Sequence, residues 1–297
     1  MIVASLLSNY AFEKFNVNKY TPSEFRRLFS EMVSQPDEDI DLAKAALYIS
    51  GTEYPDLDVD YYVNTLDSLA EGAREYIGQE HDPRARIQRL SEFLYVHEEF
   101  RGNGEDYYDP RNAYLNEVLE RRTGIPITLC LVYMEVARRV GMVFEGIGLP
   151  GHFVIRTGPP EEELYVDAFN GGLLMSRNDC EQLVQNLFHG RMEFREEYLR
   201  PYTKKEYLIR ILANFKQDYF RLEDYQRAIK AADLVAIVDP SLGSNLRERA
   251  SFHYALKQYR LAIRDLESYL EADPQSQDAE DVRQQIRAIW AALSALN

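Results

Sequence analysis

The chain has 297 residues, of which 45% are hydrophobic, so it can build the core of one large domain or two ordinary ones and is not a disordered tail. Its 34 Lys and Arg against 49 Asp and Glu give a net charge of −15, which argues against a general binder of nucleic acid or of anionic membranes. Two cysteines cannot form a disulfide framework, no apolar run reaches the roughly 18 residues of a transmembrane helix, and the N-terminus lacks the basic leader of a signal peptide. These features predict a cytoplasmic protein.

Residues 1–100 are predicted to form a helical N-terminal region. The run Thr21-Pro22-Ser23-Glu24 has the pattern of a capping box with proline at the first helical position. Apolar residues then recur at helical spacing, which predicts further helices over about 39–51, 60–77 and 83–99.

The patterning of the middle segment, residues 101–203, changes at Gly141. A helix is predicted to open at Thr123-Gly124-Ile125-Pro126 and to end at Gly141. Three strand-like runs follow, over 142–147, 153–156 and 164–168, and short turns rich in Gly and Pro separate them. Because connections this short favour antiparallel pairing, the segment is predicted to be an α+β unit in which a helix packs on a small sheet.

The C-terminal part, residues 204–297, contains an internal repeat with an offset of 34 residues. The residues that recur at this offset are Tyr225 and Tyr259, Ala228 and Ala262, Ile229 and Ile263, Asp239 and Asp273, and Pro240 and Pro274. This period, with its aromatic-x-x-Ala core and closing proline, is typical of tetratricopeptide repeats. We therefore expect about three helix pairs, with 282–296 as a capping helix.

Residues suited to acid–base chemistry lie on the predicted strands. His152 follows a Pro-Gly turn, and Asp167 lies in the next strand, so antiparallel pairing can place the two side by side. A carboxylate fixes the tautomer of a histidine that takes a proton from a nucleophile. Cys130 on the preceding helix completes the order Cys, His, Asp, which is expected of a papain-like or transglutaminase-like thiol site.

Four motifs stand out in the middle of the chain: YDPRNAYLNEVL at 108–119, GIPITL at 124–129, LPGHF at 149–153 and DAFNGG at 167–172. Together they resemble the SirB-type family of bacterial proteins, which have a transglutaminase-like core and C-terminal tetratricopeptide repeats. The resemblance covers nearly the whole chain. It implies a papain-like or transglutaminase-like α+β core, and it implies little about biochemical activity.

The resemblance also bears on the nucleophile. In transglutaminase-like enzymes the nucleophile follows a Gly-x-Cys pattern at the start of the core helix, and in the matching stretch here Pro126 stands where the thiol would be. Cys130 lies four residues later on the same helix face, about 6 Å further along. Two interpretations stay open: Cys130 is a displaced nucleophile activated by His152 and Asp167, or it is an ordinary buried residue of the helix.

Further polar residues are candidates for binding. A cluster ahead of the core helix could line a cleft beside His152, and it consists of Arg111, Asn112, Asn116 and Glu117, with Asn170 as an additional candidate. The five histidines show no ligand spacing, so neither a metal nor another cofactor is expected. Cys180 has acidic neighbours, which favour a surface or half-buried thiol over a nucleophile.

Two functions fit these observations. The first is an interaction scaffold or regulatory protein with a degenerate transglutaminase-like core, whose repeats bind another protein or a peptide, with no nucleic acid partner and no membrane insertion. The second is a thiol hydrolase or acyltransferase that acts on a peptide or glutamine amide through Cys130, His152 and Asp167. Pro126 at the nucleophile position favours the first.

Overall fold

The computed structural model describes residues 20–294. Its N-terminal helices are α1 (Pro22–Val33), α2 (Leu42–Gly51), α3 (Val59–Ile77) and α4 (Pro83–Glu92). The predicted capping box is confirmed, because the Thr21 hydroxyl accepts a hydrogen bond from Glu24 N and the Glu24 carboxylate accepts one from Thr21 N. The second helix begins three residues later than predicted, because Asp41 caps it and Asp37–Asp39 form a 3-10 turn. The first ten residues, for which the sequence predicts no signal peptide, lie outside the described range.

The middle segment contains short strands around a buried helix. In chain order its elements are β1 (Arg101–Gly102), α5 (Leu115–Arg121), β2 (Thr123–Gly124), α6 (Pro126–Arg139), β3 (Glu145–Ile147), β4 (Val154–Thr157), β5 (Leu164–Asp167), β6 (Leu173–Met175) and α7 (Arg177–Leu187). Strands β1 and β2 pair in parallel, whereas β3, β4, β5 and β6 form an antiparallel sheet in that order. The predicted helix packed on a small antiparallel sheet is therefore confirmed, and β6 is an additional strand that was not predicted.

The C-terminal part is a series of helices: α8 (Lys204–Arg221), α9 (Tyr225–Val238), α10 (Gly243–Ala255), α11 (Tyr259–Ala272) and α12 (Ala279–Ser294). The repeat is confirmed, because Tyr225 and Tyr259 each begin the second helix of a hairpin. The non-glycine residues Glu223 and Lys257, which share the same offset, both have left-handed backbone angles, with φ of 57° and 58°. The two hairpin turns thus have the same conformation.

Helix α8 joins the repeats to the middle segment. Its apolar face is buried in the main core, which also contains side chains of α2 and α6. The Tyr207 hydroxyl donates a hydrogen bond to Ile127 O at 2.6 Å, and Tyr114 and Tyr219 share a hydrogen bond of 2.9 Å between their hydroxyls. The buried core therefore continues across the predicted boundary at residue 203. Within residues 20–294, the helices are too short or too polar to cross a membrane.

Candidate functional site

His152 and Asp167 form a buried hydrogen-bonded pair. The distance from His152 Nε2 to Asp167 Oδ2 is 2.9 Å. A tight turn positions the histidine just before β4: His152 N donates to Leu149 O at 3.1 Å, and Gly151 supplies a φ of +73°. This left-handed conformation suits glycine, which explains the Pro-Gly sequence before the histidine.

Asp167 ends β5, and the turn that follows saturates its carboxylate. Oδ1 accepts hydrogen bonds from Phe169 N at 3.1 Å and Asn170 N at 3.2 Å, and Oδ2 accepts one from Asn170 Nδ2 at 2.8 Å. Burial by itself would raise the pKa of Asp167, but the interactions with His152 and Asn170 outweigh it and hold this pKa below its usual value. The carboxylate therefore stays ionised beside His152.

Cys130 lies in the core beneath this pair. Its side chain is 0% exposed, and its Sγ is 3.7 Å from Phe153 O, to which the thiol donates. Burial raises the pKa of the Cys130 thiol well above its usual range, and the charge of Asp167 raises it further. Among the described residues, no hydrogen bond joins Sγ to the His152 ring. The environment therefore favours a neutral, inaccessible thiol.

A small pocket opens at the exposed edge of His152. Its volume is about 20 Å³, room for about one water molecule. The pocket is lined by Tyr107, Ile125, Pro126, Ile127, Gly151, His152, Phe153, Arg210 and Asn214. Pro126, which stands where the resemblance places a nucleophile, is the first residue of α6 and lines the pocket together with His152.

Asn112, predicted to bind a ligand, is 0% exposed and organises the loop that precedes α6. Its Nδ2 donates to Asp106 O at 2.7 Å, and its Oδ1 accepts from Asn103 Nδ2 at 3.1 Å. Its carbonyl oxygen accepts from Thr128 Oγ1 at 2.6 Å and from Ile125 N at 3.3 Å. Asn112 therefore holds the start of α6 against the loop, and it does not line the pocket.

The other predicted binding residues do not form one cluster in the structure. Arg111 is exposed and forms an ion pair with Asp109 at 2.6 Å. Asn116 is buried in α5, and its Oδ1 has no hydrogen-bond partner among the described residues. Glu117 is half-buried next to it. These three do not line the pocket at His152, whereas Asn170 touches the site through its hydrogen bonds to Asp167.

Tyr107, an aromatic residue that the sequence offers either as part of a ligand pocket or as core, lines the pocket and packs edge-to-face on Phe169, with ring centroids 5.9 Å apart. Two other residues that line the pocket were not identified from the sequence. Arg210 and Asn214 belong to α8, four residues apart on one helix face. That spacing is the only sequence signal for them, and nothing local in the chain indicates that the face meets His152.

Cys180 is buried, so the prediction of a surface or half-buried thiol is wrong. It lies in α7 at 0% exposure, in an apolar cluster that includes Ile147 and Tyr165 of the sheet. Burial raises the pKa of Cys180 to about 12, and the charge of Asp179 contributes.

Over residues 20–294, no three His, Cys, Asp or Glu side chains come together in a way that could hold a metal ion.

Comparison with known proteins gives the relationships of the chain. A model of the transglutaminase-like superfamily matches residues 60–213, and a tetratricopeptide repeat model matches residues 215–287. A UPF0162 protein of Xylella fastidiosa (strain Temecula1) is 31% identical over 259 residues, which cover 86% of this chain and 92% of that protein. A UPF0162 protein of Vibrio cholerae is 26% identical over 262 residues, which cover 87% of this chain and 97% of that protein.

A shorter match is to F-box only protein 21 of Mus musculus. It is 37% identical over 106 residues, which cover 33% of this chain and 17% of that protein. The bacterial matches, by contrast, extend over most of both chains. The chain therefore belongs to the transglutaminase-like superfamily, among the UPF0162 proteins, and carries tetratricopeptide repeats in its C-terminal part.

Proposed function

We propose that this protein is a cytoplasmic interaction scaffold or regulatory protein whose transglutaminase-like core lacks thiol chemistry. The observation that carries the proposal is the identity of the residue at the start of α6. Pro126 lines the pocket beside His152, whereas Cys130 is one helical turn deeper and completely buried. On the four motifs named above, we also propose that it is a SirB-type protein.

The geometry disfavours an acyl-enzyme on Cys130. A thiol nucleophile must be accessible, must reach its base and must ionise near neutral pH. The thiol of Cys130 instead donates to the Phe153 carbonyl, and burial raises its pKa. The pocket at His152 has about 20 Å³, which is too little for a peptide amide together with an attacking group.

The repeats supply a surface for a partner protein. A groove of about 370 Å³ lies among α10, α11 and α12. Its lining includes Ala250, Tyr254, Leu266, Ala288 and Ile289. Small and apolar residues along such a groove suit the apolar side chains of a peptide or helix.

Alkylation of the native protein tests the loss of thiol chemistry. Iodoacetamide is added between about pH 6 and pH 9, with Cys180→Ser in the background so that Cys130 is the thiol followed. We expect no labelling of Cys130 until the protein is unfolded with guanidinium, both with His152 and in His152→Ala. Labelling at about pH 6 that His152→Ala abolishes would instead support the thiol hydrolase that uses Cys130, His152 and Asp167.

The role of the repeats is tested by comparing proteins bound to the wild type and to two variants. Ala288→Arg places a charged side chain in the groove, whereas Leu261→Arg changes a residue that is 40% exposed and outside it. We expect Ala288→Arg to lose a defined set of bound proteins that Leu261→Arg retains. Equal binding by all three proteins would contradict a partner site in this groove.

A further inference from the structure

Asp218 of α8 lies close to the loop of residues 103–109, which follows β1. The residue is 5% exposed, and its carboxylate forms no hydrogen bond or ion pair with another residue in the described range. The loop continues into the 3-10 turn Pro110–Asn112, which packs against α8. A carboxylate buried to this extent is costly in its ionised form unless a cation or a hydrogen-bond donor reaches it.

The cation one turn further along α8 is engaged elsewhere. Arg221 follows Asp218 by three residues, so the two side chains lie on the same side of the helix. The guanidinium carbon of Arg221 is 4.0 Å from the centroid of the Tyr108 ring, a cation–π contact between α8 and the loop. Among the described residues, no carboxylate forms an ion pair with Arg221. The Tyr108 ring and the Asp218 carboxylate are therefore alternative partners for one guanidinium.

Two charged groups face Asp218. Burial raises the pKa of the Asp218 carboxyl to about 7; the charge of Arg221 opposes this shift, and the charge of Asp109 in the loop adds to it. Asp109 is itself held by Arg111 at 2.6 Å and by Arg121 at 3.8 Å. Within residues 20–294, α9 and α10 bring no further charge to Asp218.

Tyr107 connects the loop with the pocket at His152, which it lines. Burial raises the pKa of Tyr107; the charge of Arg210 acts to lower it, and the charge of Asp218 acts to raise it. The rings of Tyr107 and Tyr108 pack edge-to-face, with centroids 5.3 Å apart. A movement of Tyr108 therefore reaches the wall of the pocket.

We propose that Asp218 and Arg221 form a pH-sensitive switch that ties the loop of residues 103–109 to α8 and releases it. While Asp218 is protonated, Arg221 stays on the Tyr108 ring and holds the loop. When Asp218 loses its proton to solvent, Arg221 pairs with the carboxylate, because a charge-assisted contact with a buried carboxylate is stronger than a cation–π contact at an exposed ring. The loop then loses its tie, and repulsion between Asp109 and ionised Asp218 favours its separation from α8.

The direction and range of the switch follow from these contacts. Arg221 lies on the ring at low pH and on the carboxylate at high pH. Because pairing with Arg221 favours the ionised form, the midpoint lies below the pKa of about 7 that burial gives Asp218. It lies above the pKa of an unperturbed aspartate, which is about 4.

The position of Arg221 is measured by the ring-current shift of its δ protons in protein labelled with ¹³C in arginine. Tyr108→Leu identifies the resonance by abolishing that shift. We expect an upfield resonance at about pH 5 that moves downfield as the pH rises to about 8. Asp218→Asn should keep it upfield at every pH, whereas Glu223→Gln, a change at an exposed carboxylate two residues from Arg221, should titrate like the wild type.

Release of the loop is measured by hydrogen exchange of the amides of residues 107–109. The wild type and Arg221→Gln are compared at the same pH, so the intrinsic pH dependence of exchange cancels. We expect exchange in Arg221→Gln to be at least about threefold faster at about pH 5 and equal to the wild type at about pH 8. A general loss of stability would give the opposite pattern, because Arg221 pairs with Asp218 only at high pH.

Three results would overturn the proposal. The first is an Arg221 resonance that stays constant between about pH 5 and pH 8, and the second is a change that persists in Asp218→Asn. The third is equal exchange of the loop amides in the wild type and in Arg221→Gln at about pH 5.

Discussion

Asp218 of α8 is an isolated acid in the core. It is 5% exposed, and its carboxylate has no hydrogen bond or ion pair with another described residue. Burial raises the pKa of Asp218 to about 7; the charge of Arg221 opposes this shift, and the charge of Asp109 adds to it. The folded protein therefore holds this proton more tightly than the unfolded chain, whose aspartates titrate near about pH 4.

The sign of the pH dependence follows from this shift. The stabilising contribution of protonated Asp218 is complete below about pH 4 and is lost as the pH rises to about 7. We expect Asp218→Asn to be more stable than the wild type by about 2 to 4 kcal/mol at pH 8, with the difference vanishing towards pH 4. Urea unfolding across this range measures it.

The control for this prediction is Asp56→Asn at an exposed position, which should shift stability by less than about 0.5 kcal/mol at every pH. A difference between Asp218→Asn and the wild type that stays constant from about pH 4 to pH 8 would show that Asp218 titrates normally.

The turn between β5 and β6 fixes the position of Asp167, and its two glycines differ in surroundings. Both have left-handed backbones, with φ of +73° at Gly171 and +70° at Gly172. A Cβ on Gly171 would have no neighbour within 4 Å in the described part of the chain, whereas a Cβ on Gly172 would lie 2.5 Å from Ser91 Oγ. Ser91 cannot easily move, because its hydroxyl hydrogen-bonds Gly172 O at 3.0 Å and Tyr133 Oη at 3.1 Å.

Alanine at these two positions separates backbone strain from crowding. We expect Gly171→Ala to cost about 1 kcal/mol, since only the backbone preference is lost. Gly172→Ala should lower the free energy of unfolding by about 1 to 3 kcal/mol more, because the core around Ser91 must shift. Equal losses of unfolding free energy for the two variants, measured by denaturant unfolding, would mean that the turn relaxes away from α4.

Elements defined by neighbouring residues were predictable from the sequence. The capping box at Thr21 and the 34-residue repeat depend on local patterns, and both were confirmed. The pairing of His152 with Asp167 followed from the short connection between their strands. The residues of the pocket wall could not be predicted in this way, because Arg210 reaches the site only through the tertiary packing of α8 on the middle segment.

The predicted binding cluster illustrates the same limit. Asn112 and its neighbours carry polar groups in a distinctive motif, which favours a ligand site when only the sequence is read. The Asn112 side chain instead donates to the backbone carbonyl of Asp106, and the Asn112 carbonyl oxygen accepts from Ile125 N and from the Thr128 hydroxyl at the start of α6. A sequence pattern does not reveal whether a polar group faces a ligand or the protein's own backbone.

At the scale of the whole molecule, α8 belongs to the repeats and to the core at the same time. Its side chains that are at most 2% exposed are Tyr207, Leu208, Ile211, Leu212 and Phe215. Burial of five such side chains contributes on the order of 10 kcal/mol, comparable to the whole stability of a typical domain.

Truncation tests this dual role. We expect a chain that ends at residue 203 to lose cooperative unfolding, because the face that α8 covers becomes exposed. A chain that ends at residue 240 keeps α8 and α9 and should still show a cooperative thermal transition by near-ultraviolet circular dichroism. Cooperative folding of the shorter chain would show that the core is independent of α8.

In the described structure, His152 and Asp167 form a pair, and both cysteines are buried. The most direct measurement is the pH dependence of iodoacetamide labelling after Pro126→Cys, with Cys180→Ser in both this variant and its reference. We expect the new thiol, at the N-terminus of α6 beside His152, to react at about pH 6 and to lose that reactivity in His152→Gln, while Cys130 stays unlabelled. Labelling of Cys130 in the reference protein, or a thiol at residue 126 that reacts no faster than a free cysteine, would contradict the account.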